Sequence, residues 1–198
     1  MAKSEVTSPA AAAPEGKPCP ADRDRVLGID PGLNITGYGV LEIHGGRAVL
    51  CEAGIVRGRT RNSLAARVHE IYDGVREVIE ALGPTSMAVE QLYSHYKQPR
   101  TSILMGHARG VICLAAAQAG IPLVSYSATQ IKKVLTGNGR APKVQMQGAI
   151  CRELGLAEPP EPPDVADALA VALCHYHLAL RPARALHTKA SWLGKDPA

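Results

Sequence analysis

At 198 residues the chain has room for one domain with a sizeable core, and its 46% hydrophobic content contains no apolar run approaching the roughly 18 residues of a membrane span. The formal charge of +4 is too mild to announce a nucleic-acid partner by itself, and the N-terminus lacks the apolar core of a signal peptide. Five scattered cysteines (Cys19, Cys51, Cys113, Cys151, Cys174) with no CxxC pair argue against zinc and for reduced, mostly buried thiols in a cytoplasmic protein.

Residues 1–24 are Ala, Pro, Ser, Lys and Glu without periodicity, and are expected to form a disordered extension with too little apolar surface to offset ordering entropy. A first strand is predicted at 25–30, where Val26, Leu27 and Ile29 form a buried run that Pro31-Gly32 stops. Asp30 is its last residue. It reads either as the cap of that turn or as a functional carboxylate at a strand end, where open α/β sheets place ligands. A second strand at about 35–43 and a third at about 47–57 are joined by a hairpin at His44-Gly45-Gly46-Arg47, since paired glycines accept the positive φ of tight turns. Arg57, Arg59 and Arg61 then read as a solvated basic patch in a loop.

Asn62 is the expected cap of a long helix whose apolar face carries Leu64, Val68, Ile71, Val75, Val78, Ile79 and Leu82. Gly83 and Pro84 end it in the usual order. Met87-Ala88-Val89 is the fourth strand, and Glu90 sits at its end as Asp30 does at the end of the first. A polar loop over 91–100, with Tyr93 and Tyr96, leads to a helix at about 101–119. That helix is rich in Gly and Ala, so it is either deeply packed or part of a subunit contact. A fifth strand is predicted at 121–125, then helices at 127–135, 143–154 and 164–180. A basic tail over 181–198 is expected to be disordered, leaving 25–180 as the folded domain.

Three strands joined by tight turns are antiparallel, while the later two need helical crossovers and run parallel. The fold class is therefore α/β, a mixed five-stranded sheet with helices on both faces.

Two further features bear on chemistry. None of the 18 acidic residues lies in 91–152, a segment that carries Lys97, Arg100, Arg109, Lys132, Lys133, Arg140, Lys143 and Arg152, the pattern of a polyanion-binding face. Asp164 and Asp167 share one face of the first turn of the last helix. Acids are favoured there by the helix dipole alone, but the following turns are so apolar that the helix start need not be solvated. With Asp30 and Glu90 they would make a cluster of four carboxylates. Such a cluster suits magnesium or manganese, and two such ions can clamp the attacking and leaving oxygens of a phosphodiester. Beside a basic face, this predicts a metal-dependent nuclease.

Asp30-Pro31-Gly32, Val89-Glu90-Gln91 and Asp164-Val165-Ala166-Asp167-Ala168-Leu169-Ala170, in this order, resemble the RuvC family of Holliday junction resolvases, as do His107-Ala108-Arg109-Gly110 and Gln130-Ile131-Lys132-Lys133. The resemblance implies an RNase H-like fold, a homodimer, and paired symmetric nicks across a four-way DNA junction that leave 5′-phosphate ends. It implies two Mg²⁺ ions per site, replaceable by Mn²⁺, on Asp30, Glu90, Asp164 and Asp167. It implies DNA contacts from Lys132 and Lys143, base stacking by Tyr93, and cooperation with the branch-migration proteins RuvA and RuvB. Lys133, Arg140 and Lys97 are candidate phosphate contacts on charge alone. Two other readings compete: a phosphotransferase of the actin-like superfamily, with Gly37 and Gly39 near a phosphate loop, and a catalytically inactive junction-binding module.

Overall fold

A computed structural model describes residues 24–92 and 99–181 of the chain. Tyr93, Tyr96, Lys97, residues 1–23 and residues 182–198 lie outside the described residues.

The central strand β1 (Arg25–Asp30) pairs antiparallel with β2 (Ile35–His44) and parallel with β4 (Ser86–Glu90). A strand bonded on both edges and covered on both faces has to be apolar throughout, and Val26, Leu27 and Ile29 have no exposed surface. The long hairpin of β2 and β3 (Arg47–Arg57) turns at Gly45 and Gly46 with φ of 57° and 81°, which only glycine adopts freely. Strand β5 (Leu123–Tyr126) pairs parallel with β4 and completes the order β3-β2-β1-β4-β5. The mixed sheet matches the expectation from connection lengths.

On one face, α1 (Leu64–Leu82) and α2 (Pro99–Gln118) pack over Leu27, Ile29, Val40 and Met87. On the other, α5 (Pro163–His175) lies over Val26 and Ala88, with α3 (Ala128–Thr136) and α4 (Lys143–Leu154) beside it. The alternation of Val26 to one core and Leu27 to the other is the period-two geometry of a strand.

Several boundaries differ from expectation. Ser63, not Asn62, caps α1 by accepting from the Ala66 amide, while the Asn62 side chain donates to Glu70 Oε1 at 2.6 Å. Strand β5 runs on to Tyr126 because its pairing with β4 continues through Glu90. The last helix is α-helical only to His175, and a π turn (Tyr176–Leu180) follows, where the Tyr176 hydroxyl donates to the Gly46 carbonyl at 2.6 Å. Of the four described cysteines only Cys174 is fully buried; Cys51, Cys113 and Cys151 are half-buried. The small residues of α2 serve packing on one side, with Ala108, Ile112 and Ala116 buried. The other side is open: Cβ atoms at Gly106 or Gly110 would meet nothing, and Ile103 and Leu114 are exposed. Among the described residues no helix is long and apolar enough to cross a membrane.

Candidate active site

Parallel pairing of β1 and β4 sets Ile29 against Val89, so Asp30 and Glu90 are adjacent strand-end residues on neighbouring strands, about 4.8 Å apart along the hydrogen-bonding direction. Side chains alternate between faces, so Asp30 points the way of Gly28 and Glu90 the way of Ala88, towards α5. Gly28 lets α5 come this close: a Cβ there would overlap the Ala168 carbonyl and the Ala172 backbone. Gly37, the partner of Asp30 on β2, does the same for the start of the helix, where a Cβ would overlap the Asp164 carbonyl. Two missing side chains therefore bring the first turn of α5, with Asp164 and Asp167, down onto the strand ends.

The electrostatics record this convergence. Burial, then the charges of Glu90, Asp167 and Asp164, push Asp30 up to about 8, with Lys143 opposing. Burial and the Asp167 charge raise Glu90 against Lys132. Asp167 is raised chiefly by burial, with Lys143 and Lys132 pulling down and Asp164 pushing up. Three acids held above the usual carboxylate range in one place mark a site short of positive charge.

Glu90, Asp167, Lys132 and Lys143 line a cleft of about 260 Å³ whose remaining walls are Ala128, Ile131, Met146 and Ala170. Lys132 reaches it from α3, which Ser127 caps by accepting from the Gln130 amide at 3.2 Å. Lys143 reaches it from the first residue of α4. Asp30 and Asp164 are not among the lining residues and sit against the cleft only through their charges. Lys133 and Arg140 are exposed and neither line the cleft nor influence the three raised acids.

Sequence reasoning missed the apolar walls, Ile131 and Met146, and a buried brace behind the site. Tyr126, opposite Glu90, accepts from the Gln91 amide at 2.8 Å, and its hydroxyl meets His175 Nδ1 at 2.9 Å. Burial lowers the His175 pKa, which favours the neutral imidazole, whose unprotonated nitrogen can accept a hydrogen bond from the Tyr126 hydroxyl. The pair ties the ends of β4 and β5 to α5. Two residues so far apart leave no local sign of their contact.

The donor chemistry fits a hard divalent cation: oxygen donors only, half-buried, with too little neutralising charge nearby. Among the described residues no three acidic, histidine or cysteine side chains converge closely enough to be a finished coordination shell. The fit therefore rests on donor type and charge, not on a preformed cage.

A family profile described as crossover junction endodeoxyribonuclease RuvC matches residues 26–175. The crossover junction endodeoxyribonuclease RuvC of Rhodopirellula baltica is 54% identical over 163 residues, 82% of this chain and 92% of that protein. Its counterpart in Moorella thermoacetica is 46% identical over 154 residues, 78% of this chain and 92% of that protein. A solved structure, that of T. thermophilus RuvC in complex with Holliday junction substrate, superposes with a TM-score of 0.74 at 35% identity, covering 80% of this chain and 95% of that one. Three motifs in order, the RNase H-like sheet and relatives at this identity agree: the chain belongs to the RuvC family of crossover junction endodeoxyribonucleases.

Proposed function

We propose that this protein is a structure-selective endonuclease of homologous recombination and DNA repair, resolving four-way DNA junctions by paired symmetric nicks. The observation that carries the reading is the convergence of Asp30, Glu90 and Asp167 from two strand ends and a helix start, next to Lys132 and Lys143, in a RuvC-family chain. Membership of that family favours the nuclease over the actin-like phosphotransferase, and the presence of all four acids argues against an inactive module.

Asp30, Glu90, Asp164 and Asp167 would hold two divalent ions, Mg²⁺ or Mn²⁺. When bound, these supply charge neutralisation and Lewis acidity for hydrolysis of the phosphodiester. The chain's own groups do the rest. Carboxylate oxygens not engaged by an ion accept hydrogen bonds and can take up the proton that water loses. Lys132 and Lys143 hold the phosphodiester by charge, and the apolar walls Ile131 and Met146 limit solvent around them. Water adds to phosphorus and the 3′ oxygen departs as a hydroxyl, leaving a 5′ phosphate. We assign Tyr93 to stacking on an unpaired base at the junction centre, and Lys133 and Arg140 to flanking phosphates.

A homodimer would give two such sites the two-fold symmetry of the junction. The open face of α2, with Gly106, Gly110, Ile103 and Leu114, supports a subunit contact there. We place the nuclease domain at 25–180, flanked by extensions, in the cytoplasm, with RuvA and RuvB as cooperating proteins.

The test is a labelled synthetic four-way junction with magnesium and with chelator. Symmetric nicks in magnesium, ligatable ends and none in chelator are expected. Equal cutting of linear duplex, or no cutting, would overturn the reading.

A further inference from the structure

The loop after β3 carries Arg57, Arg59 and Arg61, and α1 adds Arg67. Sequence alone makes this a solvated patch; the fold gives it an address. Asp30 pairs with Gly37 and Gly37 with Ile55, so these three residues form one row across the sheet. Arg57 stands two residues beyond Ile55 on the same strand and so on the same face, the one that carries Asp30. Two strands across and two residues along put their backbones roughly 12 Å apart.

The loop is fastened to the turn that follows Asp30. The Gly58 amide donates to the Asn34 carbonyl at 3.0 Å. Gly58 itself is pressed on the Leu33 carbonyl so closely that a Cβ would overlap it. Arg67 Nη2 donates to Asn34 Oδ1, and its Nε is buried without a hydrogen-bond partner among the described residues. Glu70, the nearest acid, is spent on the loop's shape: it accepts from the Arg59 amide at 2.7 Å and from Asn62 Nδ2 at 2.6 Å. Among the described residues no carboxylate pairs with Arg57, Arg59, Arg61 or Arg67, and the first three are exposed. The N-terminus of α1, with no acid in its first turn, adds its positive dipole end.

A cationic loop fastened to the turn after Asp30 thus stands on the β3 side of the carboxylates, and the cleft with Lys132 and Lys143 lies at Glu90, on the β4 side. We infer that the loop 57–61 is a second phosphate-binding site, which holds the DNA backbone on the side of the carboxylates away from Lys132 and Lys143. At one phosphate per 3.4 Å of helix axis on each strand, about 12 Å sets it three to four phosphates from the nick. The inference rests on the nuclease reading, because it takes the junction as ligand.

The experiment uses the full chain with Arg57→Gln, Arg59→Gln and Arg61→Gln combined, and the corresponding triple change to Lys. Binding to a four-way junction in chelator is measured against salt. The Gln variant should lose about 0.9 from the slope of log K on log salt for each phosphate contact removed, so about 1.8–2.7 for two or three. The Lys variant should keep the slope, since a point charge suffices for phosphate. Phosphate ethylation three to four nucleotides from the nick should inhibit binding of the wild type and leave the Gln variant unaffected. An unchanged slope with an unaltered ethylation pattern overturns this inference alone. A wild type that binds no junction overturns it together with the nuclease reading. Retained binding by the Lys variant also separates lost charge from lost fold.

Discussion

Helices α1 and α5 cover opposite faces of one sheet and are built to different rules. In α1, five of 19 residues are buried, Ser63 caps the start and Gly83 closes the end in the left-handed conformation. Both ends are locally capped, and the outer face meets water. In α5, ten of 13 residues are buried, Pro162 and Pro163 lead in, and no side chain caps the first turn. That uncapped turn carries Asp164 and Asp167 and is pressed against strands that end in two more acids. The contrast separates a helix made for stability from one that accepts an electrostatic cost at its business end. A half-buried helix start with unmet charge is a sounder mark of function than the presence of acids there, which dipoles alone would favour.

The strongest way to break the comparison is at the site. Asp30→Asn should keep junction binding and lower cleavage in magnesium by roughly a thousandfold or more, the equivalent of several kcal/mol of transition-state stabilisation. Near-normal cleavage on a gel would remove Asp30 from the site.

The same substitution should act oppositely on stability. Asp30 is raised from 3.8 to about 8 in the fold. Below about pH 4 it is protonated folded and unfolded, and costs nothing extra. Between about 4 and 8 the unfolded chain releases a proton that the fold retains, so stability falls as pH rises, with the loss complete above about 8. In chelator, Asp30→Asn should therefore stabilise the protein by several kcal/mol at pH 8, about 1.4 kcal/mol for each pH unit above 4, with the gain shrinking towards pH 4. Denaturant melts at several pH values read this directly; a destabilised variant at pH 8 would mean that no such tension exists. For α1 the expectation is smaller and of a different kind. Ser63→Ala should cost about 1 kcal/mol and leave cleavage per folded molecule unchanged. A lost activity would make α1 more than scaffold.

Much of this was legible in the chain. Apolar runs ending in Asp30 and Glu90 announce strand ends, the face of α1 repeats at three and four, and connection lengths dictate which strands run parallel. What escaped depended on distant partners. Asn62 and Ser63 are both competent caps, and only the folded chain shows that the helix starts at Leu64, with Asn62 turned to Glu70. Tyr126 joined β5 because β4 continues beside it, and it met His175 only through the packing of α5. The basic loop looked like ordinary solvated charge because its bond to Asn34 joins the entry to β2 with the exit from β3, residues far apart in sequence. Proximity made by the fold writes no spacing into the sequence.

The close seat of α5 on β1 and β2 also orders events in time. Asp30 is made early in synthesis and Asp164 and Asp167 near the end, so a chain still on the ribosome owns half a site until α5 emerges and docks at Gly28 and Gly37. Contacts of such sequence separation are the slow ones to form. All four acids are therefore assembled only once the last helix is in place.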